Sequence, residues 1–207
     1  MPARLIDIHP ENPEPRLIRQ AADVMRGGGL IVYPTDSCYA LGFHIGDKAP
    51  IREVRRIRQD DKHHNFGLIC RDLSEIANYA RIDNWHYRML KAHTPGPYAF
   101  ILKASRSVPR RLQNERRKTI GIRVPDHPVP LALADALGEP FMSSTLLLPG
   151  DEFPLTDPYE ILERLKNDVD LVVAAGNCGI EPCTVVDMTG DFPVVQREGK
   201  GNSADFA

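Results

Sequence analysis

Residues 27–42 read Gly27-Gly28-Gly29-Leu30-Ile31-Val32-Tyr33-Pro34-Thr35-Asp36-Ser37-Cys38-Tyr39-Ala40-Leu41-Gly42. The glycine triplet ends any helix that precedes it, because glycine adopts the left-handed backbone of a helix terminus without a Cβ clash. Leu30 to Tyr33 is a short apolar run with two β-branched residues, the mark of a buried strand. Pro34 removes a backbone donor and, with Asp36, breaks that strand. Helix stop, strand and sharp turn in quick succession describe the opening of an α/β domain, with the turn at the strand's end.

Outward from this stretch the pattern continues. Upstream, Leu17, Ile18, Ala21, Val24 and Met25 recur at helical spacing, which predicts a helix over Pro13–Arg26. Downstream, helices are expected over Pro50–Arg58, Leu73–Ala80, Trp85–Ala92, Pro128–Leu137 and Thr156–Asn167. In the last of these Thr156 is read as the N-cap, with Pro158 in the first turn. Strands are expected at Phe66–Cys70, Tyr98–Lys103, Ile120–Val124, Phe141–Leu148, Leu171–Ala174, Thr184–Asp187 and Val194–Arg197. Mixed helices and strands predict an α/β fold, an open twisted sheet covered by helices. Strict βα alternation and a G-x-G-x-x-G turn are both missing, so the pattern is not a Rossmann unit. Proline and glycine are spread evenly and no repeat interrupts the chain, so residues 1–207 are read as a single domain.

Composition narrows the function classes. With 42% hydrophobic and 26% charged residues, the chain can bury a core without disulfides or metals. It has no apolar stretch of the roughly 20 residues a membrane span needs and no apolar leader, so the cytoplasm is expected and a membrane partner is not. Cys38, Cys70, Cys178 and Cys183 form no C-x-x-C pair and match no zinc spacing, so reduced thiols and no protein-held metal are expected. The adjacent His63 and His64 point different ways on any regular element and do not share a metal. A formal charge of −2 hides a strong asymmetry. Lys103, Arg106, Arg110, Arg111, Arg116, Arg117, Lys118 and Arg123 crowd one segment against the single acid Glu115. Arg52, Arg55, Arg56, Arg58 and Lys62 form a second basic segment, while acids gather from Asp151 to Asp170. One basic face is the expectation.

Several short runs, in order, resemble the YrdC/YciO family. GGGLIVYPTDSCYALG resembles its first signature. Thr94-Pro95-Gly96-Pro97-Tyr98 resembles its P-G-P turn, and Thr119-Ile120-Gly121-Ile122-Arg123-Val124-Pro125 its V-x-x-R-x-P strand. Cys183-Thr184-Val185-Val186-Asp187 resembles its S-T-V-x-D strand, and Arg197-Glu198-Gly199 its closing R-x-G. The matches run over nearly the whole chain. The resemblance implies a YrdC/RibB-like fold, an open twisted mixed sheet with a large basic concave surface. It makes Tyr33 to Gly42 a ligand-facing turn. It also implies a chemistry: the characterised branch makes threonylcarbamoyl-adenylate from threonine, bicarbonate and ATP, for the modification of an adenosine in tRNA. Other members are described as binders of double-stranded RNA or tRNA.

Carried over position by position, the resemblance places threonine against Thr35, Tyr39, Arg123, Ser143 and Thr184. It places nucleotide against Arg58, Thr119, Thr145 and Arg197. Guanidinium forks suit carboxylate and phosphate because they bind bidentately. The basic segments assign RNA contacts to Arg55, Arg110, Arg111, Arg116, Arg117 and Lys118. ATP, AMP or the adenylate and RNA are the expected partners, with no tightly bound cofactor and Mg²⁺ entering only with ATP phosphates. A monomer or weak dimer is expected.

Departures from the family pattern bear on the reaction. Active synthases carry K-x-R after the second helix, where this chain has Arg58-Gln59-Asp60. They also carry S-A-N-x-S-G, where this chain has Thr145-Leu146-Leu147-Leu148-Pro149-Gly150. Asp60 exchanges attraction for repulsion at a phosphate, and Leu147 offers no hydrogen bond in place of the asparagine. Ser37 and Ala40 replace threonine and glycine in the first signature. This pattern matches the YciO branch more than the YrdC branch. Four readings stand at this point: a nucleotide- and RNA-binding protein with altered synthase chemistry, an active synthase, an RNA binder with a vestigial pocket, and a related but altered reaction such as hydrolysis of an adenylate.

Overall fold

The computed structural model describes residues 2–59, 66–114 and 117–206. Its elements are β1 (Arg4–Asp7), α1 (Pro15–Arg26), β2 (Ile31–Tyr33), β3 (Ala40–His44), α2 (Ala49–Arg58), β4 (Gly67–Ile69), α3 (Leu73–Tyr79) and α4 (Asn84–His93). There follow β5 (Tyr98–Lys103), β6 (Thr119–Arg123), α5 (Pro128–Leu137), β7 (Phe141–Thr145), α6 (Pro158–Leu165), β8 (Leu171–Ala174), β9 (Thr184–Asp187) and β10 (Val194–Arg197). Among the described residues, ten strands join one sheet in the order β1-β8-β2-β3-β7-β4-β6-β5-β9-β10. Pairings β1/β8, β8/β2, β4/β6 and β5/β9 are parallel and the other five antiparallel, so the sheet is mixed. Among the described residues no helix is long and apolar enough to cross a membrane.

Side chains alternate across each strand, so the sheet has two faces. One face carries the larger core. There Val54, Ile76, Leu90 and Ile161 from α2, α3, α4 and α6 pack with Val32, Leu41, Leu68, Phe100 and Ile122. The other face is only partly covered. Ile18, Ala21 and Met25 of α1 and Val129, Leu133 and Ala134 of α5 pack on Ile31, Tyr33, Phe141 and Val173. Strands β4, β6, β5 and β9 extend beyond that cover, and their exposed side is the floor of a cavity.

Three local readings change. β1 and β3 had no counterpart in the sequence reading. Ala40-Leu41-Gly42 belongs to β3, paired with β2 and β7, so the turn itself ends at Tyr39. Gly42 sits in this strand because an added Cβ would lie 2.8 Å from the Tyr33 ring. The N-cap of α6 is Asp157 and not Thr156: the Asp157 carboxylate accepts the Tyr159 amide at 2.8 Å. The Thr156 carbonyl is taken by the Cys178 amide at 3.2 Å, which holds Thr156 in the preceding loop.

Candidate functional site

The turn after β2 is built on one hydroxyl. Thr35 Oγ1 donates to the Cys38 carbonyl at 2.7 Å and accepts the Ser37 and Cys38 amides at 3.1 and 3.2 Å. Asp36 projects from this turn. It accepts from the Arg123 guanidinium and, through Oδ2, from the Asp126 amide at 3.0 Å. Lys200 donates to the Asp36 carbonyl. The turn is thereby clamped to the end of β6 and to the segment after β10. Gly179 lets the loop after β8 close on it, since a Cβ there would meet the Ser37 carbonyl at 2.7 Å.

Beside the clamped turn, the uncovered half of the sheet floors a cavity of about 650 Å³. Arg55 and Arg58 of α2, Arg117, Arg123 of β6 and Arg197 of β10 line it, and no carboxylate does among the described residues. Hydrogen bonds anchor Arg123, Arg117, Arg58 and Arg197. Arg123 pairs with Asp36 and reaches Ser37 Oγ at 3.1 Å; Arg117 reaches Asp187 at 3.3 Å. Arg58 donates to the Thr145 carbonyl, and Arg197 to the Cys183 carbonyl at 2.8 Å. Arg55 lies over the Phe66 ring, 6.0 Å from its centroid, in cation–π range. Only 8% of Arg123 is exposed, and its buried Nε has no hydrogen-bond partner. Gln113, Asn114, Thr119, Ser143 and Gln196 add polar groups, and Leu112, Ile101 and Val185 add apolar wall.

The structure gathers some of the expected residues here and sends others elsewhere. Arg123, Ser143, Arg58, Thr119, Thr145, Arg197, Arg55 and Arg117 line the cavity. Ser143 also holds the Tyr33 hydroxyl at 2.6 Å. Thr35, Tyr39 and Thr184 do not line it. Thr35 is committed to its own turn. The Tyr39 ring lies in the core, where its hydroxyl donates to the Gly176 carbonyl at 2.6 Å. Thr184 alternates with the lining residues Cys183 and Val185, so it faces away, and it donates to the Gly201 carbonyl at 2.6 Å. Arg110 and Lys118 are exposed outside the lining. The side chain of Arg111, and Arg116, Asp60, Lys62, His63 and His64 entirely, lie outside the described residues. Leu147 is half-buried beyond the end of β7 and does not line the cavity.

Sequence reasoning passed over Asp36, Gln113, Asn114 and Gln196, and the strand glycines Gly67 and Gly121, all of which bear on the site. Glycine inside an expected strand was the one available signal for the last two.

The lining holds no His, Asp, Glu or Lys among the described residues, so none of these side chains offers a general base there. Cys38 is not an activated thiolate, because burial pushes its thiol above the usual value. The arrangement can bind and orient anions and stabilise charge on them. It gathers no group of three His, Cys, Asp or Glu able to hold a metal among the described residues.

Comparison with known proteins agrees with this architecture. The family model for Sua5/YciO/YrdC proteins, described as "Telomere recombination", matches residues 23–199. The chain is 54% identical over 199 residues to the uncharacterized protein YciO of Escherichia coli strain K12, covering 96% of this chain and 97% of that one. The crystal structure of E. coli YciO superposes with a TM-score of 0.96 over 99% of this chain and 100% of that chain, at 53% identity. A threonylcarbamoyl-AMP synthase of Chromobacterium violaceum is 36% identical over 137 residues, 66% of this chain and 70% of its own length. Sua5 of P. abyssi, solved in complex with L-threonine, shares the fold at TM-score 0.86 and 24% identity over 95% of this chain and 58% of its own. The chain belongs to the Sua5/YciO/YrdC family.

Proposed function

We propose that the arginine-lined cavity binds a nucleotide or an adenylate, and that the protein acts in the metabolism of threonylcarbamoyl-adenylate with an altered or weakened synthase step. One observation carries this reading: five guanidiniums and no carboxylate surround a cavity of about 650 Å³ among the described residues. Such a cavity favours a ligand with more than one anionic group, since guanidinium forks bind phosphate and carboxylate bidentately. Its volume suits a nucleotide-sized molecule. With no His, Asp, Glu or Lys in the lining among the described residues, catalysis would rest on positioning and charge stabilisation. Where ATP is the ligand, Mg²⁺ enters with its phosphates.

The test is calorimetric titration with AMP, ATP·Mg²⁺, threonine and threonylcarbamoyl-adenylate. Adenylate binding is expected, and Arg197→Met should weaken it by at least about tenfold. Absence of heat with every ligand would sink the proposal. Threonine- and bicarbonate-dependent pyrophosphate release from ATP, at the rate of an active synthase, would favour the alternative that the reaction is intact.

RNA binding is the second part of the reading. Arg117, whose side chain is 66% exposed, lies at the cavity, and Arg110 and Lys118 flank it on the same connecting segment. Phosphate contacts from such residues would give an affinity for tRNA or duplex RNA that falls steeply with salt. A salt-independent affinity would reject them as the contact surface.

A further inference from the structure

A single exposed apolar side chain calls for no explanation, but two neighbours at a sheet edge do. Phe192 is 78% exposed, more than any other large apolar side chain among the described residues, and Val194, two residues on, is 54% exposed. Val194 opens β10, the edge strand, and Phe192 lies in the connection from β9. That connection is anchored. Thr189 donates its amide and its hydroxyl to Asp187 Oδ1 at 2.9 and 2.6 Å, and His86 Nε2 of α4 donates to the Met188 carbonyl at 2.8 Å. The Phe192 ring is held out into solvent by a fixed segment.

Strand addition does not account for these side chains. Pro193 between them has no backbone donor, and the register of β10 on β9 shifts between Val195 and Arg197. A proline and a bulge are devices that stop an edge strand from recruiting another strand. Contact through the side chains themselves is what remains.

Cations stand beside them. Val194 is the register partner of Asp187, so the two side chains share a face. Asp187 accepts from Arg117 at 3.3 Å, with side-chain exposures of 10% for the acid and 66% for the guanidinium. Outward, the pair therefore presents its cation. Arg110 and Lys118 are exposed on the same connecting segment as Arg117. Val185, two residues before Asp187 on β9, lines the cavity, so Val194 lies on the cavity's side of the sheet but outside the lining. An exposed aromatic ring next to outward cations suits a nucleic-acid strand: the ring stacks on a base and the cations take the phosphates.

We propose that Phe192 is a stacking platform for an unpaired nucleobase at the rim of the cavity, and that the partner of this surface is RNA with a single-stranded segment. A base inside a duplex is already stacked on its neighbours and does not offer its face. This rests on the reading of the surface around Arg117 as RNA-binding and narrows its partner.

The test measures fluorescence anisotropy of labelled strands with the full chain. The probes are a short oligoadenylate, an abasic oligonucleotide of the same length, which keeps the phosphates and lacks the bases, and a blunt RNA duplex. Phe192→Ala should weaken oligoadenylate binding about tenfold and leave the abasic strand, the duplex and Tm near wild type. Phe192→Trp should keep oligoadenylate affinity, and Arg117→Met should weaken all three probes. Oligoadenylate binding unchanged in Phe192→Ala would overturn the platform and leave the RNA reading intact. An equal loss on the abasic strand or the duplex would also overturn it, because the ring would then not act through an unpaired base. So would a wild-type dimer in sedimentation that Phe192→Ala abolishes, which would make the patch an interface between copies. A wild type that binds no probe removes the RNA reading and the platform together.

Discussion

The Tyr39 hydroxyl donates to the Gly176 carbonyl at 2.6 Å and accepts the Ala175 amide at 3.3 Å. It ties the turn after β2 to the loop after β8, and nothing in that arrangement faces the cavity. Tyr39→Phe should therefore lower stability by about 1 kcal/mol, the net worth of hydrogen bonds to part-buried backbone groups. AMP affinity should change far less than in Arg197→Met. Urea unfolding and titration of the same samples separate the two effects; a large affinity loss with unchanged stability would put the hydroxyl in the binding site instead. Thr35 and Thr184 behave alike, each spending its hydroxyl on a backbone carbonyl. The limit of the sequence is clear at these residues. A hydroxyl donates and accepts equally well, so its residue type does not say whether it serves a ligand or the backbone. The partner of Tyr39 lies 137 residues away, beyond any local pattern. Arginines were more legible, because a guanidinium on a strand between apolar neighbours, as at Arg123, must leave the core face.

At the scale of elements, α5, β5, β8, β9 and β10 fall where periodicity and breakers put them. The elements that escaped are those whose reason is tertiary. β3 is buried along Ala40 to Phe43, so it shows no alternation, and it contains a glycine that strands normally disfavour. Only the Tyr33 ring packed over Gly42 explains that glycine. β1 is a four-residue edge strand whose pairing partner β8 is distant in sequence. The start of α6 shows the same dependence. Both Thr156 and Asp157 are good caps by residue type, and the loop contact from Cys178 decides between them. Asp157→Ala should cost about 1 kcal/mol in urea unfolding, and Thr156→Ala clearly less. The reverse order would return the cap to Thr156.

At the scale of the molecule, the site exists because α1 and α5 cover only one end of a sheet face. The basic segments legible in the sequence converge there, since α2, β6 and β10 bring Arg55, Arg58, Arg123 and Arg197 around the same bare floor. Which half stays bare depends on the strand order, and no local pattern encodes it. The same compact sheet buries protonated thiols and phenols. Burial pushes Cys178 up to about 11 from its usual 9.0, and pushes Cys38, Cys70, Tyr33 and Tyr39 in the same direction. A group with a raised pKa holds its proton in the folded state where the unfolded chain releases it. Its stabilisation is whole below the unfolded value and is lost as pH rises through the folded one. Stability should thus be unaffected by these groups below about pH 8, then fall from about pH 9 as unfolded cysteines ionise. The decline should steepen near pH 10 as tyrosines join, each group contributing up to about 1.4 kcal/mol per pH unit. Urea midpoints measured from pH 7 to pH 11 under reducing conditions read this directly. A midpoint that stays level to pH 11 would mean that these side chains ionise in place, and that the core around the turn admits water.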